Sequence, residues 1–260
     1  MPPIVLLTDF GTQDHYVGVV KGVIWSIQPQ VPLVDLSHTV PPYEVAAAQF
    51  LLKQALPYFP VGTIYLVIVD PGVGSARRPI ALRTPAGVAV GPDNGVLQPL
   101  FPQLQEVVQL CNPTYWRTPS PSHTFHGRDI FAPVAAHIWR GVPLAALGTP
   151  LDPATLVTQP LPSPLATPTG WQGHIQYIDH FGNLISTIPA DYVPWERIQG
   201  VLCAGVTIPW GTHYGAVPVG HLVALPGSHG YVEIACHQGH AAQRLGATIG
   251  EAVAVHVRSG

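Results

Sequence analysis

Short apolar runs alternate with helix-like stretches through the first 110 residues, and this limits the fold more than any other feature of the chain. The runs are Ile4 to Leu7, Leu33 to Leu36 and Ile64 to Val69. After the first, Tyr16, Val19, Val20, Val23 and Ile27 fall on one helical stripe. Strand, helix, strand in this rhythm predicts a sheet of parallel strands covered by helices. Ile80 to Arg83 and Val88 to Val90 flank Thr84-Pro85-Ala86-Gly87, which has hairpin chemistry, so the sheet is expected to be mixed. The fold class is α/β: an N-terminal α/β/α domain with a mainly parallel central sheet.

The rhythm stops after Gly141. Prolines stand at 143, 150, 153, 160, 162, 164 and 168 with no sustained periodicity, which reads as an extended connector over about 141–169. Beyond it, Ile175 to Ile178, Val201 to Ala204, His221 to Leu225 and Tyr231 to Ala235 are short apolar segments punctuated by Gly and Pro. They predict a smaller C-terminal β-barrel or sandwich. The domains are therefore expected over 1–160 and 170–260.

Charged residues make up only 10% of the 260, against a usual share of about a quarter. Either an oligomer hides part of the surface, or the surface is built from Gln, Thr, Ser and His. The net charge is -3, with no basic run, so nucleic acid is not an expected partner. No membrane-length apolar stretch and no signal-peptide pattern is visible, and a cytoplasmic protein is expected. Cys111, Cys203 and Cys236 are widely spaced, without a Cys-x-x-Cys pair, and are expected to be buried free thiols.

Open α/β sheets bind ligands beyond the carboxyl ends of their strands, where Asp9 and Asp70 stand. Each can equally cap a turn. Pro71-Gly72-Val73-Gly74 builds a tight loop after Asp70, and Arg77 is close enough along it to pair, as a site group or as a structural salt bridge. Gly91-Pro92-Asp93-Asn94-Gly95 is a strong turn signal. Phe125-His126-Gly127-Arg128-Asp129 precedes a helix that must begin near Pro133, leaving His126 and Gly127 in the loop and Asp129 as a candidate cap. Asp179-His180-Phe181-Gly182-Asn183 can stack on and hydrogen-bond a heterocyclic base, or form an ordinary turn. Ser228 and Glu233 are ambiguous, and His237 with His240 makes a weak metal site without a third ligand.

Taken together, these segments, with Thr8-Asp9-Phe10-Gly11, Asp14, Tyr16-Val17-Gly18 and Ser228-His229-Gly230 through Glu233-Ile234-Ala235, resemble the S-adenosyl-L-methionine hydroxide adenosyltransferases, whose relatives include chlorinating and fluorinating enzymes. Six ordered segments over about 230 residues carry the resemblance. It implies hydrolysis of S-adenosyl-L-methionine to adenosine and L-methionine, with no cofactor and no metal, by a homotrimer with active sites between subunits. It further implies that Asp70, Arg77 and His126 handle the attacking water and that Asp9 holds the ribose hydroxyls. Tyr43 would flank the sugar or methionyl chain, and Gly127 would lie in the substrate site. Phe181 and Asn183 would bind adenine, while Asp179, Ser228 and Glu233 would contact methionine or adenine. His237 and His240 depart from the asparagines usual in relatives.

Three rivals stand beside this reading. A halogenase would use chloride or fluoride in place of water, but Asp70 is a poor neighbour for an anion. A metallohydrolase would use Asp9, Asp70, Asp93 and His126. A non-catalytic module would bind adenosine and leave S-adenosylmethionine intact.

Overall fold

The computed structural model describes residues 2–159 and 163–258. The chain divides into two compact units, Met1–Gln159 and Pro160–Gly260. The expected connector prolines 160 and 162 lie outside the described residues.

In the first unit, β1 (Ile4–Thr8), β2 (Leu33–Ser37), β3 (Thr63–Ile68), β4 (Pro79–Thr84), β5 (Gly87–Pro92), β6 (Glu106–Leu110) and β7 (Gly148–Pro150) form one sheet in the order β2-β1-β3-β5-β4-β6-β7. The neighbours β2, β1, β3 and β5 run parallel, and β4, β6 and β7 add antiparallel pairs, so the sheet is mixed as expected. Every residue of β1, β3 and β5 is buried, which explains why these strands read as continuous apolar runs rather than alternating ones. Ile4, Leu6, Ile64, Leu66 and Ile68 pack on one face with α1 (Tyr16–Ile27) and α3 (Ala132–Trp139). The alternate residues Val5, Leu7, Tyr65 and Val67 are buried on the other face, where α2 (Val45–Ala55) meets β1. Helix α1 buries Val20 and also Ile24, which the stripe read from the sequence left out.

Two expectations are corrected here. Part of the 141–169 segment is not extended: Leu144–Leu147 forms a short helix, α4, and the next residues are edge strand β7, paired with β6. Cys111 is exposed, with its Sγ 3.3 Å from Thr149 Oγ1, whereas Cys203 and Cys236 are buried free thiols.

The second unit contains β8 (Leu165–Thr167), β9 (Gly170–Ile178), β10 (Leu184–Pro189), β11 (Ile198–Cys203), β12 (Val206–Ile208), β13 (Leu222–Pro226), β14 (Tyr231–Cys236), α5 (Ala241–Leu245) and β15 (Ala252–Val257). The order is β12-β11-β15-β9-β10-β14-β13, with β8 beside β9 and every pair antiparallel. Strand β9 serves both halves, its first residues pairing with β15 and its last with β10. Gly173 lies in the part paired with β15, near the changeover, and a Cβ there would meet Thr187 Oγ1 at 2.6 Å. The chain after β12 then bridges to β13, with Gly211 N donating to Ala224 O at 2.9 Å and Ala224 N to Pro209 O at 2.8 Å. This bridge nearly closes the sheet into a small barrel.

Candidate active site

Parallel pairing of β1 with β3 sets Thr8 opposite Ile68, so Asp9 and Asp70 leave the sheet at the same edge. Thr8 Oγ1 lies 2.8 Å from His38 Nδ1, and Gly11 N donates to His38 O at 2.7 Å, which anchors the Asp9 loop to the end of β2. Asp9 Oδ2 accepts the backbone N-H of Tyr43 at 2.9 Å. Tyr43 has φ +70, uncommon for a residue with a side chain, and the residue is 72% exposed.

After Asp70 the chain turns through Val73 N to Asp70 O and Ser75 N to Gly72 O, at 3.2 and 3.1 Å. That turn brings Arg77 back onto Asp70, with Nε donating to Oδ1 at 3.0 Å and Nη2 to Oδ2. The two side chains are only 7% and 6% exposed. The same Nη2 lies 3.0 Å from His126 Nδ1. A guanidinium only donates, so His126 Nδ1 is the acceptor and the neutral ring carries its proton on Nε2. Burial, reinforced by Arg77 and His123, holds His126 below the usual imidazole range. Burial also pushes the Asp70 carboxyl up, against the pull of Arg77 and with a further push from Asp9. Arg77 is lowered by burial, yet a guanidinium stays protonated at neutral pH.

Gly127–Phe131 is a wide, π-type turn that runs into α3, with Pro133 in the first turn of that helix. Asp129 is not the helix cap it was expected to be. It is buried, bonded to Arg128 and to Ser122 N, and holds the preceding loop instead.

A cleft of about 310 Å³ opens here, lined by Asp9, Asp70, His126 and Gly127 with the rings of Phe10, Tyr16, Tyr43 and Phe125. Arg77 is not part of this lining and stands behind Asp70 and His126. The structure thus brings together six of the sequence-derived site residues, one of them from behind. The edge-to-face wall of Phe10, Tyr16 and Phe125 was not read as part of a site, because Tyr16 also fits the helical stripe.

The second unit holds another cleft, of about 490 Å³, lined by Phe181, Asn183, Tyr214, Cys236, His237, Gln238 and Gly239. Phe181 is 71% exposed and Tyr214 is 47% exposed. Asp179 spends its carboxylate within its own turn, accepting from Phe181 N, Asn183 N and Asn183 Nδ2, each at 2.9 Å. The last bond leaves Asn183 Oδ1 and one Nδ2 proton for a ligand. Glu233 is buried behind Tyr214, accepting from the Tyr214 hydroxyl at 2.9 Å and lying 3.0 Å from His229 Nε2. Burial and that bond push the Tyr214 hydroxyl up to about 12. Ser228 is exposed in the β13–β14 turn and does not line this cleft. His240 caps α5 by accepting from Gln243 N, and His237 Nδ1 lies 2.7 Å from Val217 O, so both have structural partners. Among the described residues no group of three or more His, Cys, Asp or Glu side chains is arranged to hold a metal.

With both clefts described, comparison with known proteins becomes specific. Residues 4–148 match the SAM hydroxide adenosyltransferase N-terminal domain and residues 173–254 match the corresponding C-terminal domain. The chain belongs to the SAM hydroxide adenosyltransferase family. It is 39% identical over 258 residues to an (R)-S-adenosyl-L-methionine hydrolase of Salinispora tropica, covering 98% of this chain and 97% of that one. It is 37% identical to another of the same name from Thermus thermophilus, covering 95% and 96%. A fluorinase of Actinoplanes is 30% identical over 72% of each chain. Among solved structures, a conserved protein of Thermotoga maritima superposes with a TM-score of 0.89 at 35% identity, covering 97% of this family member and 99% of that chain.

Proposed function

We propose that this family member hydrolyses S-adenosyl-L-methionine to adenosine and L-methionine by direct attack of water on ribose C5'. The observation that carries the proposal is the Asp70–Arg77–His126 cluster at the strand-end cleft. The relatives named above are hydrolases of the (R) form, and we extend that configuration at sulfur to the substrate here.

Methionine leaves readily from a sulfonium, so the reaction needs a placed, dry nucleophile rather than a metal or a covalent intermediate. Asp70 is the group able to take the water proton. The Nε2-H of His126 and the backbone N-H of Gly127 are donors for the water oxygen. Arg77 orients both side chains from behind. Attack requires the oxygen about 3 to 3.5 Å from C5' and in line with the C-S bond. Hydroxide meeting a sulfonium destroys charge, so a water-poor cleft favours the transition state.

Asp9 is assigned to the ribose hydroxyls and Tyr43 to the sugar or methionyl chain. Phe181 and Tyr214 flank adenine while Asn183 hydrogen-bonds its edge. Asp179 and Glu233 act through Asn183 and Tyr214, and Ser228 is assigned to the methionine portion. We take residues 1–160 and 170–260 as the two domains and a homotrimer with sites between subunits as the working assembly, which suits the exposed Tyr43 and Phe181 rings and the low surface charge. No helix among the described residues is long and apolar enough to cross a membrane. The buried free thiols Cys203 and Cys236 fit a reducing cytoplasm.

The test is to incubate the protein with each sulfur epimer in H₂¹⁸O containing chloride and EDTA, then separate the products. Adenosine labelled on its 5'-oxygen, unlabelled methionine and a preference for the (R) epimer are expected. 5'-Chloro-5'-deoxyadenosine as main product would replace the hydrolase with a halogenase. Activity restored only by a divalent metal would replace the mechanism.

A further inference from the structure

The turn from Gly91 to Gly95 lines neither cleft, yet two of its adjacent side chains reach opposite ends of the loop that carries Asp70 and Arg77. Asn94 Nδ2 donates at 2.9 Å to the carbonyl of Val69, the residue just before Asp70. Its Oδ1 accepts from Val96 N at 3.1 Å, which fixes the orientation of the amide. At the other end, Asp93 N donates at 2.9 Å to the carbonyl of Arg78, the residue just after Arg77. The Asp93 carboxylate also accepts from Arg78 Nε at 2.8 Å and from its Nη2. Asp93 is held in turn by Val157 N, which donates to Oδ1 at 2.9 Å, and its side chain is 1% exposed.

The turn approaches this closely because Gly91 has no Cβ, which would sit 2.5 Å from Val67 O on β3. Val69 is fully buried, so solvent cannot replace the bond that Asn94 gives its carbonyl. The loop between the two anchors is braced within itself, Ser75 Oγ donating to Gly72 O at 2.7 Å and accepting from Arg77 N at 3.2 Å, so fixing its two ends sets the position of the whole loop. We propose that Asp93 and Asn94 are positioning residues that clamp both ends of the 70–77 loop and so hold Asp70 and Arg77 in register with His126. The inference rests on the triad reading above.

Displacing a reacting group by about 1 Å can cost about 100-fold in rate. Asn94→Ala is therefore expected to lower kcat about 10- to 100-fold, to leave adenosine affinity unchanged, and to move the acid limb of the kcat profile. Asn94→Asp keeps the shape but loses the donor, and should fall at least as far. In an Asp70→Asn background, Asn94→Ala should add no further loss, because both act through one group. If Asn94→Ala does not fold by thermal melting, Asp93→Asn, which keeps the shape and weakens the grip on Arg78, carries the same measurements. Normal kcat in a folded clamp variant beside an inactive Asp70→Asn would overturn the clamp and leave the triad standing. Independent, multiplicative losses in the double variant would overturn it too. Normal turnover of Asp70→Asn itself would instead sink the triad reading.

Discussion

At His126 the two ring nitrogens are distinct: Nδ1 accepts from Arg77 and Nε2 carries the ring proton, which the mechanism proposed above directs at the water oxygen. This asymmetry can be tested by substitution. His126→Gln places an amide near Nε2, while His126→Asn places one near Nδ1, so the Gln variant is expected to keep more turnover. Both should fall within the roughly 10²- to 10⁴-fold range typical of acid-base groups, read as kcat with saturating substrate. Acidification removes both working states, since a protonated Asp70 cannot take a proton and a protonated Nδ1 cannot accept from Arg77. With burial holding the Asp70 carboxyl above its ordinary 3.8, kcat is expected to fall on acidification with a midpoint above that value. A midpoint at or below 3.8 would contradict this assignment. Stability runs the other way at Asp70. Its raised folded-state pKa gives stability that is complete below the unfolded value and is lost as pH rises through the folded one, so the ionised, working carboxylate opposes folding.

Between elements, the decisive contact is the one that brings the 70–77 loop against the segment before α3. Gly74 has φ +79, and a Cβ on it would lie 2.2 Å from His123 O, so neither conformation nor space admits a side chain. Gly74→Ala is expected to cost about 1 to 3 kcal/mol in urea unfolding and to lower kcat with it, because the segment that must shift leads directly to His126. Much at this scale was legible: β1, β2 and β3 as apolar runs, the β4–β5 hairpin from Thr84-Pro85-Ala86-Gly87, and helix α1 from its stripe. In the second unit, β10 and β15 were not read as strands, and the wide turn at Gly127 is not encoded by local propensity. Of the candidate site, the sequence motifs singled out Asp9, Asp70 and His126, which line the first cleft. The site was not legible where a role depends on partners distant in sequence. Tyr214 meets Glu233 across 19 residues and Asn94 meets Val69 across 25, and no spacing rule connects either pair.

For the whole molecule, large exposed rings on a chain with few charges favour self-association. Sedimentation equilibrium is expected to give about three times the 27.7 kDa chain mass. A monomer with full activity would overturn the assembly with sites between subunits. Within the chain, the titratable groups Asp70 and His126 line the cleft of the first unit, while Phe181, Tyr214 and the Asn183 amide line the cleft of the barrel. Each unit has its own hydrophobic core. On the assignments proposed above, the groups that handle water sit in one unit and those that hold adenine in the other, so a lineage can exchange one attacking species for another by editing strand-end loops while the hold on the base stays intact.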